Sequence, residues 1–186
     1  MPRVLTKIDF DPDEKQIDIY LDFIPGTRFK CPVCNNPECP AYDTKKKIWR
    51  HLSFFQHKAF LHCRVPRVKC GGCDIHQIKI PWAQEHSGLT LLMDAMIMTM
   101  AQSMQISEIA SKIDEQDTRI WRVVDYYTEE ARSREDPSDV TVIGINETPC
   151  TKGHKYITLV VDFDTPGVIH VCGGKDSSTL SSFVCV

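Results

Sequence analysis

The chain lacks several things that would settle its class at once. No apolar run reaches the roughly 20 residues a bilayer needs: the longest, Thr90 to Met104, contains Asp94 and Gln102. The first residues, Met1 to Lys7, run into acidic residues without the apolar core of a secretion signal. There is no internal repeat, and neither collagen, coiled coil nor low-complexity sequence fits the composition. Across 186 residues, 42% are hydrophobic, 25% charged and 9% aromatic, which describes a globular chain of one ordinary domain or several small ones. The expected location is the cytoplasm, with no membrane partner. Nine cysteines in a reducing compartment point to metal before disulfides.

The net charge of -3 hides an asymmetry. Residues 1–27 carry -3, 28–73 carry +8, 74–136 carry -6 and 137–186 carry -2. The basic block also holds six of the nine cysteines. A positive patch on a small rigid module is the footprint of a phosphate-backbone binder, and a merely solvated charged face is the alternative.

Within that block, Cys31-Pro32-Val33-Cys34 and Cys70-Gly71-Gly72-Cys73 are two C-x-x-C knuckles. Two such pairs complete a tetrahedral site of four thiolates, so Cys31, Cys34, Cys70 and Cys73 are the expected ligands of a structural zinc. Such a site contributes on the order of 10 kcal/mol to a block too small to fold on its core alone. The 35 residues between the knuckles must carry a hairpin, which the strand-like 45–68 region supplies. Cys39, Cys63, His51, His57, His62 and His76 are read as ordinary strand or loop residues rather than substitute ligands.

Around this block, the alternation of Ile17, Ile19, Leu21 and Phe23 with polar residues predicts a strand, paired with Val4–Phe10. Short strands are expected at 59–65 and 78–80. Residues 89–104, apolar on almost every side, predict a helix buried between neighbours. Ser107 is expected to cap a short helix ending at Ile113. A turn at Asp114-Glu115-Gln116 follows, where Asp114 tolerates the left-handed conformation, and then a longer helix towards Arg132. This layout is that of a helix-turn-helix. Ile120, Val123, Val124 and Tyr127 should point inward, leaving Thr118, Arg119 and Arg122 outward with Asp125 and Gln116. Arginine's planar fork suits guanine, and Thr118 could approach bases or phosphate. Ser133–Asp139 reads as a linker, and strands are expected at 140–145, 156–161 and 168–171.

Taken in order, Cys31-Pro32-Val33-Cys34, Ile48-Trp49-Arg50-His51-Leu52, Val65-Pro66-Arg67-Val68-Lys69-Cys70, Pro81-Trp82-Ala83, Asp117-Thr118-Arg119-Ile120-Trp121-Arg122 and Gly153-His154-Lys155-Tyr156 resemble insertion-sequence transposases of the ISL-three family. The resemblance implies an N-terminal zinc finger, a helix-turn-helix that helps bind the element's terminal inverted repeats, and a DDE catalytic domain of RNase H-like fold. That domain would use two divalent ions, Mg2+ here, held by acids. The first family acid lies within Ile-Asp-Glu, and this chain reads Ile145-Asn146-Glu147. Asn146 is neutral and should hold Mg2+ poorly. Only residues 140–186 follow the linker, ending at Ser182-Phe183-Val184-Cys185-Val186 without the second Asp and the Glu; Glu147, Asp162 and Asp164 are the nearest carboxylates. No catalytic set is expected, and Mg2+ would matter only to a complete catalytic domain.

The expected fold is α+β and multi-module: an N-terminal β-hairpin (1–27), a small β-rich zinc-binding domain (28–84), an all-α helix-turn-helix (85–132), the linker (133–139) and an incomplete RNase H-like α/β segment (140–186). The expected function is the DNA-binding part of a truncated transposase. Its partners would be double-stranded terminal repeats and, as homodimer or heteromer, another transposase chain. Phosphate contacts are expected from Lys45, Lys46, Lys47, Arg50, Arg64, Arg67 and Lys69, with Arg28, Lys30 and Lys58 in the same basic block. The competing expectation is a zinc-stapled module that binds or inhibits full-length transposase. A third is an enzyme completed from a second reading frame.

Overall fold

The computed structural model describes residues 3–150, 155–165 and 167–175. Gly153 and His154 of the last motif and the terminal Ser182–Val186 lie outside the described residues. The chain divides into two compact units, residues 1–127 and 128–186.

The first unit begins with a β-sheet. Strands β1 (Arg3–Asp11) and β2 (Gln16–Phe23) form the expected antiparallel hairpin. β3 (Arg28–Phe29) is short, and β4 (Cys39–Phe54) and β5 (His57–Cys70) make a long hairpin turning at Phe55-Gln56. β6 (Asp74–Gln77) returns along the end of β5. The order is β1-β2-β5-β4-β3, with β6 also on β5. The N-terminal hairpin is therefore not a module apart. β2 runs parallel to β5, Gln16–Leu21 against Lys58–Cys63, and joins residues 1–27 to the zinc-block sheet. The strand expected at 78–80 is instead at 74–77; Ile78 leaves the ladder, is buried, and its N–H donates to the Pro66 carbonyl at 3.2 Å.

One core lies on the sheet, with Phe29, Trp49, Val65, Val68 and Ile78 buried and Trp82 and Leu61 packed against them. A second lies among the helices α1 (Leu91–Ala101), α2 (Ile106–Ile113) and α3 (Asp117–Arg132), built from Leu89, Met93, Ile97, Ile109, Ile120 and Val123. The first helix is shorter than 89–104 and is not buried all round: Met93, Asp94 and Ile97 face inward, while Leu92 is 59% exposed. Its cap is Thr90, whose side chain accepts from the Met93 N–H. The second helix begins one residue before Ser107, with Gln105 at the cap position and no side-chain cap bond. Asp114 ends it in the left-handed region at φ 54°, where an Asp is tolerated.

In the second unit, a 3-10 turn (Pro137–Asp139) occupies the expected linker. Beyond it β7 (Ile143–Pro149), β8 (Tyr156–Asp162) and β9 (Gly167–Gly173) form an antiparallel meander. β7 starts three residues later than expected and carries Asn146 and Glu147 at its centre, opposite Leu159 and Thr158. The chain is thus α+β. A three-stranded meander is common to many folds and does not by itself define an RNase H-like domain. No helix among the described residues is long and apolar enough to cross a membrane.

Candidate metal centre and nucleic-acid interface

The two knuckles meet because β3, β4 and β5 bring the chain around Cys39 beside the end of β5. Asn35 takes a left-handed φ of 61° and donates to the Cys31 carbonyl at 3.0 Å, folding the first knuckle back on itself. The Cys73 N–H reaches the Cys70 carbonyl, and Asp74, at φ 69°, closes the second. The ligand atoms of Cys31, Cys34, Cys70 and Cys73 all lie within 4.8 Å of one another, with Cys34 Sγ and Cys70 Sγ at 3.4 Å. Four sulfurs about 2.3 Å from one zinc stand about 3.8 Å apart, so the spacing fits a tetrahedral ion.

The acidities lead the same way. The Gly72 N–H and then Cys34 hold the Cys70 thiol down at about 6, while Cys34, followed by burial, pushes Cys73 up to about 12. Crowded thiols cannot all ionise beside one another unless a cation shares the charge.

Among the described residues, the other thiols and imidazoles are not part of this group. Cys39 is buried beside it and its thiol is raised, first by burial and then by Cys70. Cys63 is raised by burial. His51 bonds the Thr90 hydroxyl at 2.8 Å, and burial pulls its pKa down. His62 pairs with Asp18, His57 stands edge-on to Phe10, and His76 bonds the Cys73 carbonyl.

The basic residues separate into two groups. Arg50, expected on the surface, is 2% exposed. Its guanidinium donates to the His51 and Ala59 carbonyls at 2.7 and 3.4 Å and to Ser53 Oγ at 3.0 Å, with Glu115 at 4.0 Å; it cannot reach a phosphate in this fold. Arg64 is paired with Asp22, Arg67 with Asp43 and Lys58 with Asp114. Lys45, Lys46, Lys47 and Lys69, together with Arg28 and Lys30, make no ion pair among the described residues. Strand alternation divides the lysine run: Lys45 and Lys47 share a side with Val65 and Cys63, and Lys46 shares the other with Arg64.

On α3, Ile120 and Val123 are buried and Val124 and Tyr127 half-buried, while Thr118, Arg122 and Asp125 are exposed, as is Gln116 just before the helix. Arg119 departs from the outward set. It donates to Glu115 at 2.8 Å and to the Gly88 carbonyl at 2.7 Å, the same carbonyl that accepts the Arg50 N–H at 2.8 Å. Arg50, Glu115, Arg119 and Gly88 thus form a charged node that fixes the helix-turn-helix against β4. Sequence reasoning also passed over Asp94 as a site residue. An acid inside an apolar helix was the available signal, and it is 2% exposed.

In the second unit no three carboxylates gather among the described residues. Asp162 Oδ1 accepts the Asp164 N–H at 2.9 Å, and Asp164 accepts from the Thr141 hydroxyl at 2.7 Å, so both cap a turn.

Comparison with known proteins matches this division. Residues 27–73 match the zinc-finger of transposases IS204/IS1001/IS1096/IS1165, and residues 78–128 match the helix-turn-helix domain of transposase family ISL3. The chain is 26% identical over 136 residues to the transposase for insertion sequence element IS1557 in two strains of Mycobacterium tuberculosis, CDC 1551 / Oshkosh and ATCC 25618 / H37Rv. The aligned segment covers 73% of this chain and 31% of each relative, so the chain spans about a third of their length. No solved structure matches. Over residues 27–128 the chain is thus similar to the zinc-finger and helix-turn-helix segments of ISL3-type transposases.

Proposed function

We propose that this chain is the DNA-binding portion of an insertion-sequence transposase, working in the cytoplasm on the terminal inverted repeats of its element. Cys31, Cys34, Cys70 and Cys73 hold a structural zinc, which leaves no open position for a reacting group. The observation that carries the reading is the clamped junction of the two family domains. The Arg50–Glu115–Arg119–Gly88 node sets the helix-turn-helix at a fixed place on the knuckle-bearing sheet, so that free cations and α3 can address one duplex together.

In this arrangement Lys45, Lys46, Lys47 and Lys69 supply phosphate contacts, Thr118 and Arg122 read the duplex, and Arg50 and Arg119 position the module. The chain binds rather than cuts: the neutral Asn146 stands where the resemblance places the first acid. The test is fluorescence anisotropy of the zinc-loaded chain on a duplex of the element's own terminus against a scrambled duplex. Tighter binding to the terminus supports the reading. Equal or absent binding to both, with co-elution only with full-length transposase, replaces it with the protein-interaction alternative.

A further inference from the structure

Between the 84–89 segment and α3 lies a cavity of about 240 Å³, smaller than the roughly 300–1,000 Å³ of drug-sized sites. Two of the polar groups lining it keep bonding capacity unused. Asp94, 2% exposed, forms part of its wall; its Oδ1 has no hydrogen-bond partner, and its Oδ2 has only the Tyr127 hydroxyl at 3.4 Å. Arg122, exposed on α3, lines the same cavity and makes no hydrogen bond or ion pair among the described residues. Tyr126 and Tyr127, edge to face at 5.1 Å, complete the aromatic part of the lining. A buried carboxylate oxygen without a donor is uncommon in a folded protein and marks a place where a donor is missing.

The charges restrict what can enter. A simple cation would meet Arg119 and Arg122, and a simple anion would meet Asp94 and, at the rim, the exposed Glu85. The fitting occupant is neutral, flat enough to lie against tyrosine, and carries donors on one edge and acceptors on another. Among nucleobases guanine alone puts two N–H donors, N1–H and the 2-amino group, side by side to meet both oxygens of a carboxylate. Its O6 and N7 are also the acceptors that an arginine fork addresses. Adenine and cytosine place a ring acceptor beside their amino group, and thymine flanks its one N–H with two carbonyls; each turns a lone pair on the second carboxylate oxygen.

We propose that this cavity is a guanine-binding site, with Asp94 on the donor edge and Arg122 on the acceptor edge. The base comes from a free guanine nucleotide or from an unpaired guanine in DNA, extruded as enzymes extrude bases from a duplex. The DNA source rests on the duplex-binding reading above, and the nucleotide source does not.

The experiment has two arms, both on the full zinc-loaded chain. In the first, dGMP, dAMP, dCMP and dTMP are titrated by calorimetry. In the second, hairpin duplexes with one bulged guanine or one bulged thymine are compared with the fully paired hairpin by anisotropy. The expected result is at least a tenfold preference for guanine in one arm or both. Preference in the first arm identifies the free nucleotide as a source, and preference in the second identifies DNA. Asp94→Asn, which offers a donor where guanine needs an acceptor, should abolish the preference, and Arg122→Ala, at an exposed unpaired position, should weaken it while leaving the melting temperature unchanged. No guanine preference in either arm, or one that survives Asp94→Asn, overturns the proposal. Duplex binding without guanine preference refutes the site alone; dGMP binding without duplex binding refutes the duplex reading alone.

Discussion

The guanidinium of Arg119 occupies the space that a side chain on Gly88 would need: a Cβ at residue 88 would stand 2.4 Å from Nη2. Gly88 therefore serves by what it lacks, letting Arg119 close onto its carbonyl while Arg50 bonds the same oxygen from the sheet. Gly88→Ala should push Arg119 off this carbonyl and leave a half-buried charge short of a partner. The expected cost is about 1–3 kcal/mol in thermal or urea unfolding. Arg119→Ala should destabilise similarly. If Arg119→Ala instead weakens duplex binding with no change in stability, the positioning role is wrong.

Asp94 gives a pH dependence of unusual sign. Burial raises its carboxyl from the ordinary 3.8 to about 6, against smaller opposing effects of Tyr127 and Arg119. The folded state then keeps this proton over a range in which the unfolded chain has lost it. The contribution to stability is full below about pH 4, falls as pH rises to about 6, and is flat above that. Asp94→Asn removes the penalty, so the variant should be more stable than the parent at pH 7.5 by up to about 3 kcal/mol, with the difference closing near pH 4. Denaturant melts of both proteins across this range check it. A constant difference would remove Asp94 as the titrating group.

How far the sequence could be read depended on range. The knuckles of Cys31–Cys34 and Cys70–Cys73, the left-handed Asp114 and the inward set Ile120, Val123, Val124 and Tyr127 follow from spacings of a few residues, which local sterics determine. Arg50 and Arg119 followed the same local logic to the surface and were misplaced. Their burial depends on β4 pairing with the 88–90 segment about forty residues on, a register no local pattern encodes. The parallel joining of β2 to β5 was hidden for the same reason, since both strands alternate in a way that fits either an isolated hairpin or a sheet. The one-sided burial of α1 was illegible because apolar side chains occur all round it, and only the packing chooses Met93 and Ile97 over Leu92.

The thiol cluster makes a direct prediction about metal. The purified chain should carry one zinc, and chelation should unfold residues 28–73, with loss of strand signal and a fall in melting temperature. Cys31→Ser and Cys70→Ser should each lose the metal. Cys39→Ala, which removes a further, buried thiol next to the group, should retain it. Elemental analysis of the three variants distinguishes the four-thiolate set from one that recruits Cys39.

Salt dependence should show how the basic residues are divided. Ten basic side chains lie between residues 28 and 73, but Arg50 is buried and Lys58, Arg64 and Arg67 face carboxylates, leaving six free. Because Lys45 and Lys47 lie on the opposite side of β4 from Lys46, a duplex on one side meets at most five of the six at once. Log affinity should then fall with log salt at a slope no steeper than about -5. Lys45→Ala with Lys47→Ala should flatten that slope by about 2 if their side faces the duplex, while Lys46→Ala leaves it unchanged. The opposite pattern moves the duplex to the other side of the strand. A slope near zero in the parent chain removes the phosphate interface altogether.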